Sequence, residues 1–285
     1  MMRVFVTGAT GYIGSAVVRE LINAGHKVAG LARSDNGAAA LKEAGAEIHY
    51  GALDDLDSLR RGAVAADGVI HLAFKHDFSN FAGSLASDLR AVEAIGAVLE
   101  GSKKPFITTA HANGAASDEV VIALADRGVR ASVASLPPTV HSRGDKGFVP
   151  ILINIARDKG FSAYIGDGSN RWPAVHRLDA AHLYRLALEK APAGSRLYGH
   201  AEEGVPFRDI ANVIGKHLNV PVVSIPREEA DAHLGFLGAI AALDIPSVMP
   251  GSTARTRDLL GWEPVHPGLI EDLEQGHYFD KQLEV

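Results

Sequence analysis

Short apolar runs alternate with longer amphipathic segments through the first half of the chain. The apolar runs are continuous rather than alternating, which is typical of strands buried on both faces of a parallel sheet. The pattern predicts strands at 3–7, 27–32, 47–50, 68–74, 106–110 and 129–136, with intervening helices that include 15–24, 79–99 and 117–127. This strand–helix alternation indicates the α/β class and a doubly wound parallel sheet with right-handed crossovers.

The pattern changes after Pro137 and Pro138, where glycine, proline and aromatic residues become frequent. Helical periodicity returns at 149–159, 178–190 and 269–279. We therefore predict a Rossmann domain over 1–145, completed by about 174–192. The remaining residues, 146–173 and 193–285, are predicted to form a smaller C-terminal substrate-binding lobe.

Three glycines, Gly8, Gly11 and Gly14, follow the first strand and open the first helix. In this context a first glycine permits a tight turn, a second permits close approach of a pyrophosphate, and a third permits close helix–sheet packing. The helix N-terminus then binds the negative charge. The alternative is a structural glycine turn, but the strand–turn–helix context favours a dinucleotide site. The residues predicted to hold the dinucleotide here are Thr7, Gly8, Thr10, Gly11, Tyr12, Ile13 and Gly14.

Arg33 directly follows the second strand, where a Rossmann fold meets the adenosine ribose. An acidic residue there would bind a free 2′-hydroxyl, whereas arginine can pair with a 2′-phosphate. The sequence therefore favours NADP over NAD, although Asp35 lies nearby and Arg33 could simply face solvent. Further along, the Leu53 backbone or Asp54 could contact the adenine, or Asp54 could be a plain helix cap.

Composition narrows the function classes. Of 285 residues, 47% are hydrophobic and 22% charged, the net charge is −6, and no basic run occurs. These values argue against nucleic-acid or membrane partners. The absence of cysteine excludes disulfides and thiolate catalysis and fits a cytoplasmic protein. No helical histidine motif for a metal is present, so we expect no metal.

Several motifs together resemble the extended and atypical short-chain dehydrogenase/reductases, in their NAD-dependent epimerase/dehydratase branch. They span nearly the whole chain in the expected order. These motifs are Thr7-Gly8-x-x-Gly11-x-x-Gly14, His71-Leu72-Ala73, Pro137-x-x-Val140-His141, Val175-His176-x-x-Asp179 and Leu259-Leu260-Gly261-Trp262-x-Pro264.

The resemblance implies a nicotinamide cofactor at the strand C-termini and hydride transfer at a carbinol or carbonyl carbon. It also implies cofactor contacts from Leu72, Ala73, Phe74, Thr108 and Pro137, and a substrate pocket between the sheet and the lobe. Dimers of this superfamily often pair the long fourth helix and the sixth helix, so Phe78, Phe81 and Leu85 are candidates for a homodimer interface, with plain core residues as the alternative.

The chain departs from the family at the catalytic tyrosine–lysine pair. None of its six tyrosines lies at the start of the predicted helix 117–127, where Asp118 or Glu119 stands in place of the lysine. Thr108 or Thr109 matches the family's hydroxyl position. His111 and His141 could supply the proton, because imidazole titrates near neutral pH, although either could be an ordinary loop histidine.

The remaining pocket candidates are Lys75, His76, Val140 and Trp172. Lys75 and His76 could equally belong to a polar helix cap, and Trp172 could be a core aromatic. Together these features indicate an NAD(P)-dependent oxidoreductase without the dyad, acting on a small or medium organic substrate. The alternatives are a catalytically silent NADP sensor or an epimerase/dehydratase-like enzyme.

Overall fold

The structure is a computed structural model that describes residues 1–110, 116–248 and 253–280. The chain forms two compact units. Unit 1 contains Met1–Ser135, Ala180–Tyr198 and Ala254–Trp262, within the described ranges. Unit 2 contains the described parts of 136–179, 199–253 and 263–280.

The strands and helices follow the predicted alternation closely in the first half of the chain. The strands are β1 (Arg3–Thr7), β2 (Lys27–Ala32), β3 (Glu47–Tyr50), β4 (Gly68–His71), β5 (Pro105–Thr109), β6 (Arg130–Ser135), β7 (Thr139–His141), β8 (Ser162–Ile165), β9 (Arg171–His176), β10 (Ser195–Tyr198), β11 (Glu202–Pro206) and β12 (Val222–Ile225). The helices are α1 (Tyr12–Asn23), α2 (Asp35–Glu43), α3 (Leu56–Val64), α4 (Phe81–Leu99), α5 (Ala116–Ala123), α6 (Phe148–Lys159), α7 (Arg177–Lys190), α8 (Phe207–Leu218), α9 (Ala230–Leu234), α10 (Leu237–Ala241), α11 (Ile245–Val248), α12 (Thr253–Leu260) and α13 (Leu269–Glu274).

Unit 1 is built on a seven-stranded sheet with the strand order β10-β6-β5-β4-β1-β2-β3. Every neighbouring pair in it is parallel. The chain proceeds outward from β1 to β3 and then returns to β4 on the other side of β1. The strand order therefore reverses between β1 and β4, which is where open α/β sheets bind ligands. This sheet confirms the predicted doubly wound α/β fold.

One face of this sheet is covered by α3, α4 and α5, which share a buried apolar core with the strands. Phe5 of β1 packs so closely under α3 that a Cβ on Gly62 would lie 2.5 Å from its ring. Because side chains alternate along a strand, neighbouring residues of β5 face opposite sides of the sheet. Tyr184 of α7 approaches Thr109 of β5, which places α7 on the second face.

Unit 2 contains a three-stranded sheet, β11-β9-β7, and a two-stranded sheet, β12-β8. Its buried apolar core joins these sheets to α6, α8, α9, α10 and α13. The third strand of the larger sheet, β7, runs parallel to β9 and pairs His141 with His176. That register aligns two histidines at the ends of adjacent strands.

The structure differs from the sequence-based prediction at several boundaries. Helices α5 and α13 end earlier than predicted, at Ala123 and Glu274. Residues Ala254–Trp262 belong to unit 1, whereas the sequence placed them in the smaller lobe. One contact that attaches this segment to unit 1 is the hydrogen bond from the Lys190 ammonium to the Leu260 carbonyl, at 3.0 Å.

In the described parts of the chain, we found no helix with the length and apolar character needed to cross a membrane.

Candidate functional site

The turn after β1 is shaped by close backbone contacts that only glycine permits. Gly8 has a φ of +65°, and a Cβ there would lie 2.7 Å from the backbone nitrogen of Ala73. A Cβ on Gly14 would lie 2.0 Å from the Gly8 carbonyl oxygen. The turn closes through a 2.9 Å hydrogen bond from the Gly11 N–H to that same carbonyl. The first and third glycines therefore have the steric roles that the motif predicts.

Among the described residues, the N-terminus of α1 has no side-chain cap of the kind that α2 and α3 have. Ser34 caps α2 by accepting from the Gly37 N–H, and Asp55 caps α3. In contrast, the N-cap of α1 is Gly11, without a side chain, and its first turn has no acidic residue. Since the N–H groups of a helix start favour negative charge, this end of α1 suits an external anion.

Arg33 lies at the end of β2, exposed to solvent, and its guanidinium forms no hydrogen bond or ion pair with the residues that the structure describes. The next predicted adenosine contact, Leu53, is half-buried and packs against the core under α3. Asp54 is exposed and accepts a 2.6 Å hydrogen bond from Lys75. The bond from Lys75 is the main reason that the pKa of Asp54 lies below its ordinary value.

The predicted pocket residue Lys75 is thus already paired, because its ammonium also donates to Ser87 at 3.2 Å. Its neighbour His76 is exposed and its ring contacts the edge of Phe74 at 5.4 Å. Leu72, Ala73 and Phe74 are half-buried after β4.

A buried hydrogen-bonded chain lies beneath the glycine turn. The Thr7 hydroxyl is 2.8 Å from Nδ1 of His71, and Nε2 of that histidine is 3.3 Å from the Asp88 carboxylate. The backbone N–H groups of Leu72 and Ala73 both donate to the Thr7 hydroxyl at 3.2 Å. This network joins β1, β4 and α4 directly below the predicted dinucleotide site.

The two threonines at the end of β5 differ in their surroundings. Thr108 is buried, and its hydroxyl has no hydrogen-bond partner among the described residues. The Thr109 hydroxyl lies 2.6 Å from that of Tyr184. Tyr184 is fully buried, which raises the pKa of its phenol above the ordinary value. The raised pKa favours the neutral phenol, which shares its hydrogen bond with Thr109.

The segment that should carry the family's tyrosine–lysine pair is described only from α5 onward. His111, predicted as a proton donor, lies outside the described residues. In α5, Asp118 is buried, whereas Glu119 is exposed and pairs with Arg196 at 2.7 Å. Of the two acids considered in place of the lysine, Asp118 is therefore the inward-facing one.

In unit 2, His141 is fully buried and its Nδ1 lies 2.9 Å from the Asp272 carboxylate. His277 also bonds this carboxylate, at 3.0 Å. Burial alone would raise the pKa of Asp272, but the two imidazole hydrogen bonds outweigh it and hold the pKa below its ordinary value. Nε2 of His141 is buried without a hydrogen-bond partner among the described residues. The residue predicted as a proton donor is thus enclosed within its own unit.

A second buried carboxyl, Asp145, lies in the same part of unit 2. It accepts hydrogen bonds from the Gly147 N–H at 2.6 Å and from the Tyr278 hydroxyl at 3.0 Å. Burial nevertheless raises the pKa of Asp145 to about 6.

Three imidazoles form a row in unit 2, His141–His176–His266. The first pair meets edge to face at 5.4 Å, and the second pair stacks at 4.7 Å with an angle of only 8° between the ring planes. Asp179 bonds Nδ1 of His266 at 2.7 Å, so carboxylates flank both ends of the row. Burial and the neighbouring imidazoles lower the pKa of His176 to about 4.

His176, Asp179 and His266 also bring three possible metal ligands within 4.8 Å of one another. However, an imidazole binds metal through a lone pair in its ring plane, at about 2.0–2.1 Å for zinc. The lone pairs of His176 and His266 lie in nearly parallel planes and cannot both point at one ion. Asp179 is also used, since it accepts the backbone N–H groups of Val265 and His266. These contacts indicate that Asp179 holds the 265–266 segment in place and that the three residues have a structural role.

The prediction that Trp172 lines the substrate pocket requires a correction. Trp172 is fully buried in the core of unit 2, packs edge to face on Phe207 at 4.9 Å, and donates to the Ile240 carbonyl. Its polar atom is satisfied inside the core, so Trp172 is a packing residue. Pro137 is buried and Val140 half-buried, and both lie in unit 2.

Sequence reasoning missed the acidic and phenolic partners of these groups. Asp88 and Asp272 are the buried acids of α4 and α13, at 2% and 3% exposure. An acid on the inward face of a helix was the available signal, because a buried carboxylate requires a donor. Which histidine it would meet depends on packing between distant segments.

A sequence model described as the NAD dependent epimerase/dehydratase family matches residues 4–96. Uncharacterized protein C2A9.02 of Schizosaccharomyces pombe is 48% identical over 98% of this chain and 100% of its own length. Uncharacterized protein YLL056C of Saccharomyces cerevisiae is 46% identical over 97% of this chain and 99% of its own length. A 2-alkyl-3-oxoalkanoate reductase of Stenotrophomonas maltophilia is 26% identical over 78% of this chain and 77% of its own.

Among solved structures, DesIV from Streptomyces venezuelae, a dTDP-glucose 4,6-dehydratase crystallised with NAD and TYD bound, superposes with a TM-score of 0.74. It covers 99% of this chain and 98% of its own, at 16% identity, and so shares the fold. The glycine turn and the family match show that residues 4–96 form a domain of the NAD-dependent epimerase/dehydratase family, and the likeness to solved structures shows that the fold extends over the rest of the chain.

Proposed function

We propose that this protein is an NADP-preferring oxidoreductase that transfers hydride to or from a carbonyl or alcohol carbon of a small or medium organic substrate. The observation that carries the proposal is the N-terminus of α1, which is uncapped by any side chain and lies at the reversal of strand order. Family membership supports a nicotinamide cofactor there, and the related reductase supports carbonyl chemistry.

The bound dinucleotide would supply the hydride, and the chain's own residues would position it. The backbone of Gly11 and the first turn of α1 would hold the pyrophosphate. The segment Leu72–Phe74, packed against the glycine turn, would border the ribose and nicotinamide. In this arrangement the protein contributes orientation and electrostatic stabilisation.

The preference for NADP rests on Arg33. Its guanidinium is exposed and unpaired among the described residues, and it immediately precedes Ser34, the N-cap of α2. A phosphate at this position would meet a cation, which favours negative charge.

We expect Arg33→Asp to weaken NADPH binding by about 100-fold, because a charge-assisted pair contributes about 1.5–3 kcal/mol and the new carboxylate adds repulsion. NADH binding should change little or improve, since the carboxylate can accept from the ribose hydroxyls. Isothermal titration with both coenzymes measures the ratio. Arg19→Asp, the same charge change on an exposed position of α1, is the control. Equal losses for NADPH and NADH in Arg33→Asp would contradict the assignment to a 2′-phosphate.

Turnover is tested by mixing the NADPH-loaded protein with panels of ketones and aldehydes, and the NADP-loaded protein with alcohols. Absorbance of the reduced nicotinamide is followed in a single turnover. Hydride transfer on at least one class of compound supports the oxidoreductase. Coenzyme binding without any absorbance change across the panels would instead favour the second candidate below.

The second candidate is a catalytically silent NADP sensor. It is favoured by α5, where the described residues offer Asp118 and Glu119 rather than a tyrosine and lysine. It is also favoured by Tyr184, whose complete burial removes it as a substitute. A sensor would show coenzyme-dependent binding to another protein together with an absence of turnover.

A further inference from the structure

The hydrogen-bonded chain beneath the glycine turn has a defined direction. The Thr7 hydroxyl oxygen accepts the N–H groups of both Leu72 and Ala73. A hydroxyl has two acceptor lone pairs and one hydrogen, so its hydrogen must point to its third partner. That partner is Nδ1 of His71, at 2.8 Å.

The direction of this bond fixes the tautomer of His71. Because Nδ1 accepts the Thr7 hydrogen, the ring hydrogen resides on Nε2, where it is donated to the Asp88 carboxylate at 3.3 Å. Thr7, His71 and Asp88 are each at most 3% exposed. Solvent therefore offers none of them an easy alternative partner.

The hydrogen-bonded chain from Asp88 through His71 to Thr7 ends at backbone N–H groups that border the predicted dinucleotide site. Thr7 and His71 are register partners on β1 and β4, at the point where the strand order reverses. The segment held by Thr7, Leu72–Ala73, is the one against which Gly8 packs without room for a Cβ. A shift of this segment would displace the glycine turn as well.

We propose that Asp88 is a positioning residue for dinucleotide binding. By accepting from Nε2 it holds His71 in the tautomer that accepts from Thr7, and Thr7 then fixes the 72–73 backbone against the turn. This inference rests on the proposed function, since it assumes that the turn binds a nicotinamide dinucleotide. It adds a residue of α4, more than ten residues beyond β4 in sequence, to the determinants of that binding.

The test compares Asp88→Asn with Asp88→Leu by isothermal titration with NADPH. The asparagine oxygen can still accept from Nε2, so Asp88→Asn should bind within about twofold of the unsubstituted protein. Leucine fills the space without an acceptor, and we expect about tenfold weaker binding, as for loss of one buried hydrogen bond. The control is Ser84→Ala, one helical turn earlier on the same buried face of α4, where the serine hydroxyl donates to the Asn80 carbonyl at 3.3 Å.

A second measurement covers the case in which Asp88→Leu fails to fold. Nitrogen NMR of the imidazole in the unsubstituted protein should show Nε2 protonated and Nδ1 unprotonated in His71. The opposite tautomer would overturn the proposal, and so would unchanged NADPH affinity in a folded Asp88→Leu. If the unsubstituted protein binds neither coenzyme, the proposed function fails, whereas normal binding with an insensitive Asp88→Leu defeats this inference alone.

Discussion

Gly14→Ala is expected to abolish measurable dinucleotide binding and to destabilise unit 1 by about 3 kcal/mol or more. A methyl group at this position would lie 2.0 Å from the Gly8 oxygen and 2.8 Å from the Gly8 carbonyl carbon. Both are backbone atoms of the turn and cannot rotate away. Helix α1 must therefore move away from the turn, or the turn must open.

The steric cost of the methyl group should exceed the gain in helix propensity from glycine to alanine, which is about 1 kcal/mol in a helix interior. Displacing the α1 N-terminus by about 1 Å is enough to cost about 100-fold in a positioned interaction. The measurements are NADPH titration and denaturant unfolding followed by Trp262 fluorescence. Trp262 belongs to unit 1 and Trp172 to unit 2, so Trp172→Phe leaves a reporter of unit 1 alone.

The matched control for stability is Gly37→Ala, a second helical glycine of unit 1. A Cβ there would have its nearest contacts at 3.4 Å, with Ser34, and 3.6 Å, with Thr10, which are ordinary packing distances. Its free energy of unfolding should be unchanged or slightly higher. A stable Gly14→Ala that still binds NADPH would show that the turn tolerates the methyl group and that the steric account is wrong.

The fold of unit 1 was predictable because its signals are local. Each parallel strand is a short apolar run, and Ser34 and Asp55, which cap α2 and α3, are residue types common at helix starts. The glycine spacing marked the turn for the same reason. Boundaries were less certain, as the early end of α5 shows, because a helix stops where packing stops and not only where the pattern does.

The site was less predictable because its side chains are paired across long sequence separations. His141 and Trp172 carry chemistry-bearing groups, yet Asp272 bonds Nδ1 of His141 and the Ile240 carbonyl accepts from Trp172, both inside unit 2. Lys75 likewise meets Asp54 rather than standing free. A sequence identifies residues that could act, whereas only the tertiary contacts decide which of them already have partners.

The histidine row of unit 2 leads to the second large effect, a loss of stability in acid that depends on His176. The pKa of His176 in the folded protein is about 4, against an ordinary value of 6.5. Between these values the unfolded chain binds the proton and the folded chain does not. The contribution of His176 is therefore fully present above pH 6.5 and is lost as the pH falls toward 4. After allowance for residual solvent screening, we expect this loss to lower the free energy of unfolding by about 2 kcal/mol.

Burial of the ring is the main cause of the lowered pKa of His176, and the groups around the ring act in addition. His141 and His266 adjoin it on either side, and protonation of His176 places like charges beside each of them. Asp272 and Asp179 favour the charged form, but they are already bonded to His141 and His266. Asp145 acts in the opposite sense, because its raised pKa of about 6 makes the folded state bind a proton first as the pH falls.

The variant His176→Asn separates the contribution of His176 to the pH dependence of stability from that of Asp145. The asparagine side-chain oxygen can still accept the Leu178 N–H, which the imidazole Nδ1 accepts at 3.3 Å, but it does not titrate. The measurement is denaturant unfolding of both proteins in a Trp262→Phe background, followed by the fluorescence of Trp172. Between pH 7 and pH 4, the free energy of unfolding of the protein that keeps His176 should fall by about 2 kcal/mol more than that of His176→Asn. Asp145 is common to both proteins, so its opposing effect cancels to first order in the comparison. Parallel stability curves for the two proteins would mean that protonation of His176 does not destabilise the folded state, and this account would be wrong.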